Sequence, residues 1–259
     1  MLRKLLVLTF LILATPGTTR ASEPVTFKSS STYALKPVHL TGELKVPGNA
    51  TKYPVVILLH GCAGASGINK KTLRAHTKAL NGAGFATLIL DSFRPRGISG
   101  GWVCDRDSRL ISAIHYRQRD VRDAIKHMEQ IPSIDANNVF LMGQSNGGSV
   151  AMIMAGKNKN GAIRAAVAYY PWCGFLMNRS NTPLLVFAGE KDDWTPPEDC
   201  INRNNPRQGV SIHVYQDTTH SFDFDIPETV YKGHRLKGNA KATRDSRQKM
   251  VRFFKKHLK

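Results

Sequence analysis

The hexapeptide Gly143-Gln144-Ser145-Asn146-Gly147-Gly148 sets a hydroxyl nucleophile among glycines. It follows a predicted strand and opens a predicted helix. In that context it reads as a nucleophile elbow, a sharp strand-to-helix turn that strains the serine backbone and lifts Ser145 Oγ to the mouth of a site. Glycines at 143 and 147 leave room where side chains would collide. A serine hydroxyl is a weak nucleophile and needs a base, which in turn needs an orienting group. Behind such an elbow the chain order is serine, acid, histidine. His213, His220, His234 and His257 follow Ser145. His213 falls inside a predicted strand and His257 on a predicted helix. His220 lies in the turn Asp217-Thr218-Thr219-His220-Ser221-Phe222, beyond the last strand, and is the expected base. The acid is expected after Phe187-Ala188-Gly189. Asp192 fits a tight strand-end loop between Gly189 and Pro196, with the adjacent Asp193 as the alternative.

A tetrahedral oxyanion needs two backbone N–H donors. One is expected from Asn146, the residue after the nucleophile. The other is expected from Cys62, in the loop His60-Gly61-Cys62-Ala63-Gly64. His60 reads as a structural loop histidine. Arg94 is a candidate substrate-binding residue because it follows a strand end with Arg96; solvated loop arginines are the competing reading. Trp172 and Trp194, with Tyr170, stand in loops where they could line an acyl or aromatic pocket, or pack on the scaffold.

These loops need a frame. Pro54–Leu59 (PVVILL) and Phe85–Leu90 (FATLIL) are continuous apolar runs of the kind buried on both faces of a parallel sheet. Asn138–Met142, Ile163–Tyr170, Pro183–Ala188 and Val210–Tyr215 read as further strands, and residues 24–47 as two short leading ones. Helices are expected over 69–82, about 105–130 and about 146–156. A basic amphipathic helix with Met250, Val251, Phe254 and Leu258 at helical spacing closes the chain. Alternating strands and helices give an α/β fold with a mostly parallel sheet covered on both faces. Right-handed crossovers collect the strand-to-helix loops at the sheet's carboxyl edge, where a site belongs. The stretch from Pro171 to Thr182 is too short for a large cap domain.

Taken in order, six segments resemble the dienelactone hydrolase family of the α/β-hydrolases. They are His60 to Gly64, Asp91 to Gly97, Gly143 to Gly148, Tyr170 to Gly174, Gly189 to Pro196, and His220 to Asp223. The resemblance runs from about residue 38 to 257. It implies an eight-stranded sheet, no metal, no cofactor, and a triad of Ser145, Asp192 and His220. The founding members use a cysteine nucleophile, so a serine here points toward serine esterases of the same fold.

Arg3 and Lys4 precede the apolar stretch Leu5–Ala14, and Thr19-Arg20-Ala21 supplies small residues. Residues 1–21 read as a signal peptide, leaving residues 22–259 as one hydrolase domain that is secreted or periplasmic. No later segment is apolar enough to span a membrane. Export permits disulfides. Loops after neighbouring strands favour Cys62–Cys104 and Cys173–Cys200 among three pairings. No CxxC or Cys/His metal spacing is present.

The chain of 259 residues carries 37 Lys+Arg against 19 Asp+Glu, a formal charge of +18, and 41% hydrophobic residues. That apolar share excludes disorder, and four cysteines are too few for a disulfide-stapled miniature. Residues 232–259 hold 11 Lys/Arg and the single acid Asp245. No nucleic-acid motif accompanies them, so no specific nucleic-acid partner is expected. The expected function is an exported serine carboxylesterase or lactonase, acting on a small-molecule or polymer-borne ester. Peptide cleavage and acyl transfer use the same constellation. The alternative is a non-catalytic module whose basic C-terminal helix weakly holds an anionic cell-envelope polymer.

Overall fold

The computed structural model describes residues 21–48, 50–175, 180–202 and 209–259. Residues 1–20, which hold all but the last position of the expected signal peptide, lie outside them. Eight strands form one sheet: β1 (Glu23–Tyr33), β2 (Lys36–Lys45), β3 (Tyr53–Leu59), β4 (Ala86–Asp91), β5 (Ile134–Gln144), β6 (Ala165–Tyr169), β7 (Leu184–Gly189) and β8 (Val210–Tyr215). Their order is β1-β2-β4-β3-β5-β6-β7-β8. β1, β2 and β4 pair antiparallel, and every other neighbouring pair is parallel.

The alternation of β3 divides the core between two faces. Val55, Ile57 and Leu59 point toward helices α2 (Asp107–Glu129) and α3 (Asn146–Gly156), where Val121, Met128 and Val150 meet them. Val56 and Leu58 point the other way, into a cluster with Leu73 of α1 (Gly67–Gly82) and Met250 and Phe254 of α5 (Ala240–Lys256). Burying each such aliphatic or aromatic side chain contributes about 1.5–3 kcal/mol. α3 is buried on every side, as its almost wholly apolar sequence demands. α5 buries Met250 and Phe254, leaves Val251 half-buried, and turns Lys241, Arg244, Arg252 and Lys255 to solvent. Leu258, expected on its apolar stripe, lies past the helix end and is exposed.

Two elements were not anticipated. A short helix α4 (Glu198–Ile201) follows Pro196-Pro197. A separate hairpin, β9 (Thr229–Tyr231) and β10 (His234–Leu236), turns through Lys232 and Gly233, both at positive φ. His220 forms an isolated bridge with Leu236, which ties this hairpin to the His220 loop. No helix among the described residues is long and apolar enough to cross a membrane.

Candidate active site

Ser145 stands between β5 and α3 with φ 50° and ψ −120°, a strained backbone for a residue bearing a side chain. The turn closes because of its glycines. A Cβ on Gly143 would lie 2.1 Å from the Gly147 carbonyl oxygen, and one on Gly147 would lie 2.4 Å from the Leu59 carbonyl oxygen. Both contacts are with backbone, so neither position admits a side chain.

His220 follows β8 and faces the elbow. Its Nε2 is 3.0 Å from Ser145 Oγ, and its Nδ1 is 2.8 Å from Asp192 Oδ2. Both His220 and Asp192 are buried. The Asp192 carboxylate also accepts the Trp194 and Thr195 N–H groups and the Thr195 hydroxyl. Burial alone would raise the Asp192 pKa. The His220 ring beside it and the Thr195 donors outweigh burial and hold it below the usual carboxylate value. Asp193, the alternative acid, instead faces out, 3.5 Å from His234 and accepting the Arg235 N–H. His213 sits on β8 beside Asp245, and His257 caps the end of α5.

Asn146 is the first residue of α3, so its N–H has no partner within the helix. Cys62 lies in the turn after β3 and is bridged to Cys104, on the short turn Trp102–Asp105. The second disulfide joins Cys173 to Cys200. Both are the pairings expected from neighbouring loops. His60 is fully buried; its Nε2 accepts the Ser92 N–H, and its Nδ1 lies 2.8 Å from the Gly61 carbonyl. Burial, with help from the Arg117 charge, brings its pKa down to about 3, so it is a neutral structural ring.

The residue that sequence reasoning missed lies behind these two loops. Arg117 of α2 is fully buried. One guanidinium nitrogen donates to Asn146 Oδ1 at 2.7 Å, the other to the His60 carbonyl at 2.8 Å. Among the described residues no carboxylate is within ion-pairing distance of it, and its Nε has no partner. Burial lowers its pKa to about 10, which leaves it charged at neutral pH. A second buried cluster supports the elbow from the opposite face. Asp223 accepts from His76 Nε2, Gln144 Nε2 and the Tyr170 hydroxyl, each at 2.6 Å. The Tyr170 ring in turn packs 4.6 Å from the His220 ring.

Arg94 departs from its expected role. Its guanidinium pairs with Asp91 and lines a groove beside β1 and β2, away from Ser145, because Asp91 also caps the Phe93 and Arg94 N–H groups and draws the side chain back. Arg96 is buried in a bidentate pair with Asp120. Trp172 and Trp194 do line the site. Trp194 also packs against the rings of His220 and His234. Ser145 opens into two cavities. One, of about 320 Å³, lies between α2, α3 and Trp172. The other, of about 270 Å³, lies under the hairpin. Among the described residues no cluster of three or more His, Cys, Asp or Glu could hold a metal ion.

The dienelactone hydrolase family model matches residues 40–258. The chain belongs to the dienelactone hydrolase family. Its resemblance to acetyl esterase Axe7A of Xylanibacter ruminicola is 28% identity over 192 residues, covering 62% of this chain and 41% of that protein. It is 23% identical over 162 residues to a protein of Bradyrhizobium sp. named as a probable 2-oxo-3-(5-oxofuran-2-ylidene)propanoate lactonase, covering 54% of this chain and 63% of the other. The chain thus spans less than two thirds of both curated relatives. Among solved structures, the dienelactone hydrolase-like promiscuous phosphotriesterase P91 from metagenomic libraries superposes with a TM-score of 0.69 at 18% identity. That match covers 93% of this chain and all of the other, and confirms the α/β-hydrolase fold.

Proposed function

We propose that this member of the family is a serine hydrolase of carboxylic esters that works through an acyl-enzyme. The observation behind this reading is the continuous hydrogen-bonded line from Ser145 Oγ through His220 to Asp192. Ser145 attacks the ester carbonyl while His220 Nε2 takes its proton. The Asn146 and Cys62 N–H groups receive the oxyanion, and Asp192 stabilises the imidazolium. His220 returns the proton to the leaving oxygen. Water, activated by the same histidine, then releases the acid. The related acetyl esterase and lactonase support ester bonds as the substrate class.

The test is turnover of p-nitrophenyl esters and labelling by a fluorophosphonate, with Ser145→Ala beside the native chain. Turnover and labelling that both vanish in the variant are expected. Turnover retained by Ser145→Ala, or silence of both proteins across the ester panel, overturns the reading.

Export is part of the same proposal. The basic start, the apolar stretch and the small residues ending at Ala21 support a signal peptide, and two disulfides suit an oxidising compartment. N-terminal sequencing of the exported protein is expected to begin at Ser22; a start at Met1 would contradict it.

A further inference from the structure

The two cavities that meet at Ser145 differ from the rest of the molecule in charge. The chain has 37 Lys+Arg, yet among the described residues neither cavity has a Lys or Arg in its lining. Among the described residues the first has one charged residue, Asp107, an acid. The second has no Asp or Glu among the described residues. Of the cations around them, Arg117 is buried behind Asn146 and engaged by Asn146 Oδ1 and the His60 carbonyl, and two others share a partner. Arg109 stacks on Trp102 and reaches Asp105, and Lys232 also pairs with Asp105. The walls themselves are mostly apolar. Leu110, Ile111 and Ile114 of α2 face Trp172 across the first cavity. Ile226, Val230, Tyr231 and Leu236 roof the second. Ser145, Cys62 and Trp194 belong to both.

The chemistry assigns a half of the substrate to each side. His220 must hand its proton to the leaving oxygen, so the alcohol half departs on the side that His220 lines, which is the cavity under the hairpin. The acyl half then occupies the cavity lined by Asn146 and Trp172.

Resting on the ester-hydrolase reading above, we propose that the site takes uncharged esters with an apolar group on each side of the ester bond, and rejects esters whose acyl half bears a carboxylate. A carboxylate in the acyl cavity would lose its hydration without a cationic partner and would face Asp107. An apolar acyl chain gains from burial there until the cavity is full.

The experiment compares p-nitrophenyl acetate, butanoate and hexanoate with the monoanionic p-nitrophenyl succinate, and phenyl acetate with 4-carboxyphenyl acetate. Up to cavity capacity, kcat/KM is expected to rise about fourfold per added methylene. The succinate monoester is expected to fall about a hundredfold below butanoate, and 4-carboxyphenyl acetate about tenfold below phenyl acetate, since the second cavity is more open. Ile111→Arg is expected to raise the succinate-to-butanoate ratio at least tenfold, and Val230→Arg the 4-carboxyphenyl-to-phenyl ratio. Succinate turned over within about threefold of butanoate, or a rate indifferent to acyl length, overturns the proposal while leaving ester hydrolysis standing. Absence of all ester turnover and of fluorophosphonate labelling sinks both.

Discussion

A buried guanidinium without a carboxylate partner is costly, so its surroundings must compensate. Arg117 meets that condition through one neutral side chain and one carbonyl, and these belong to the two segments that carry the proposed oxyanion donors. Its charge also lies behind the place where negative charge develops. Arg117→Met is therefore expected to lower kcat about tenfold to a hundredfold, less than outright loss of a donor. KM is expected to change little, and Arg117→Lys to recover part of the loss. Steady-state kinetics with a circular-dichroism check of folding reads this; an unaltered kcat in a folded Arg117→Met would contradict it. At the acid position, Asp192→Asn is expected to cost about 10³–10⁴ in kcat, whereas Asp193→Asn changes it by less than about threefold. The proposed triad could be read from the sequence because its members follow strand ends in a fixed order. Arg117 was legible only in outline. It falls between Ile114 and Val121 on the buried stripe of α2, and His76 falls likewise between Leu73 and Leu80 on α1. A charged or titratable residue on an apolar stripe signals a buried polar contact, but one sequence does not name its partner.

Elements place these residues with unequal visibility from sequence. The parallel strands announce themselves as continuous apolar runs, since both of their faces are covered. Helix α3 begins at residue 146 and ends at 156, as its glycine-rich start and apolar body predict. The β9–β10 hairpin did not stand out because its strands have three residues each and Val230 is largely exposed. Its remaining signal is Lys232-Gly233, a two-residue turn at φ 53° and 85°. The disulfides act at this scale too. They close loops of similar length, with separations of 42 and 27 residues, and each is worth about 4 kcal/mol by loop closure. Only Cys62–Cys104 anchors a proposed oxyanion donor. Replacing Cys62 and Cys104 together by Ala is expected to lower both Tm and kcat, the latter about tenfold. Replacing Cys173 and Cys200 by Ala is expected to lower Tm similarly and leave kcat within about threefold. Equal effects of the two pairs on kcat would show that the first bridge does no more than stabilise the fold.

On the scale of the whole molecule, two buried histidines couple folding to pH. His60 behind the β3 loop and His76 beneath the elbow are both fully buried, and burial is the largest influence lowering the pKa of each. For His60 the value falls from 6.5 to about 3. The unfolded chain binds protons at both rings once pH drops below about 6.5, while the folded chain keeps His60 neutral until about 3. Stability from these groups is therefore fully present above pH 6.5 and is lost as pH falls. Asp192 and Asp223 act in the same direction, but their folded pKa values lie below the ordinary carboxylate value, so their loss comes lower, beneath about pH 4. The interval between pH 6 and 5 isolates the histidines. His60 alone, neutral in the fold, is expected to lower the unfolding free energy there by about 1.2 kcal/mol per pH unit, and a neutral His76 adds to that slope. Urea titrations at half-unit steps measure this slope. A slope near one proton would mean that His76 is protonated against Asp223 in the folded protein. A flat profile would mean that neither ring is held neutral, and the hydrogen bond from the Ser92 N–H to His60 Nε2 could not then exist.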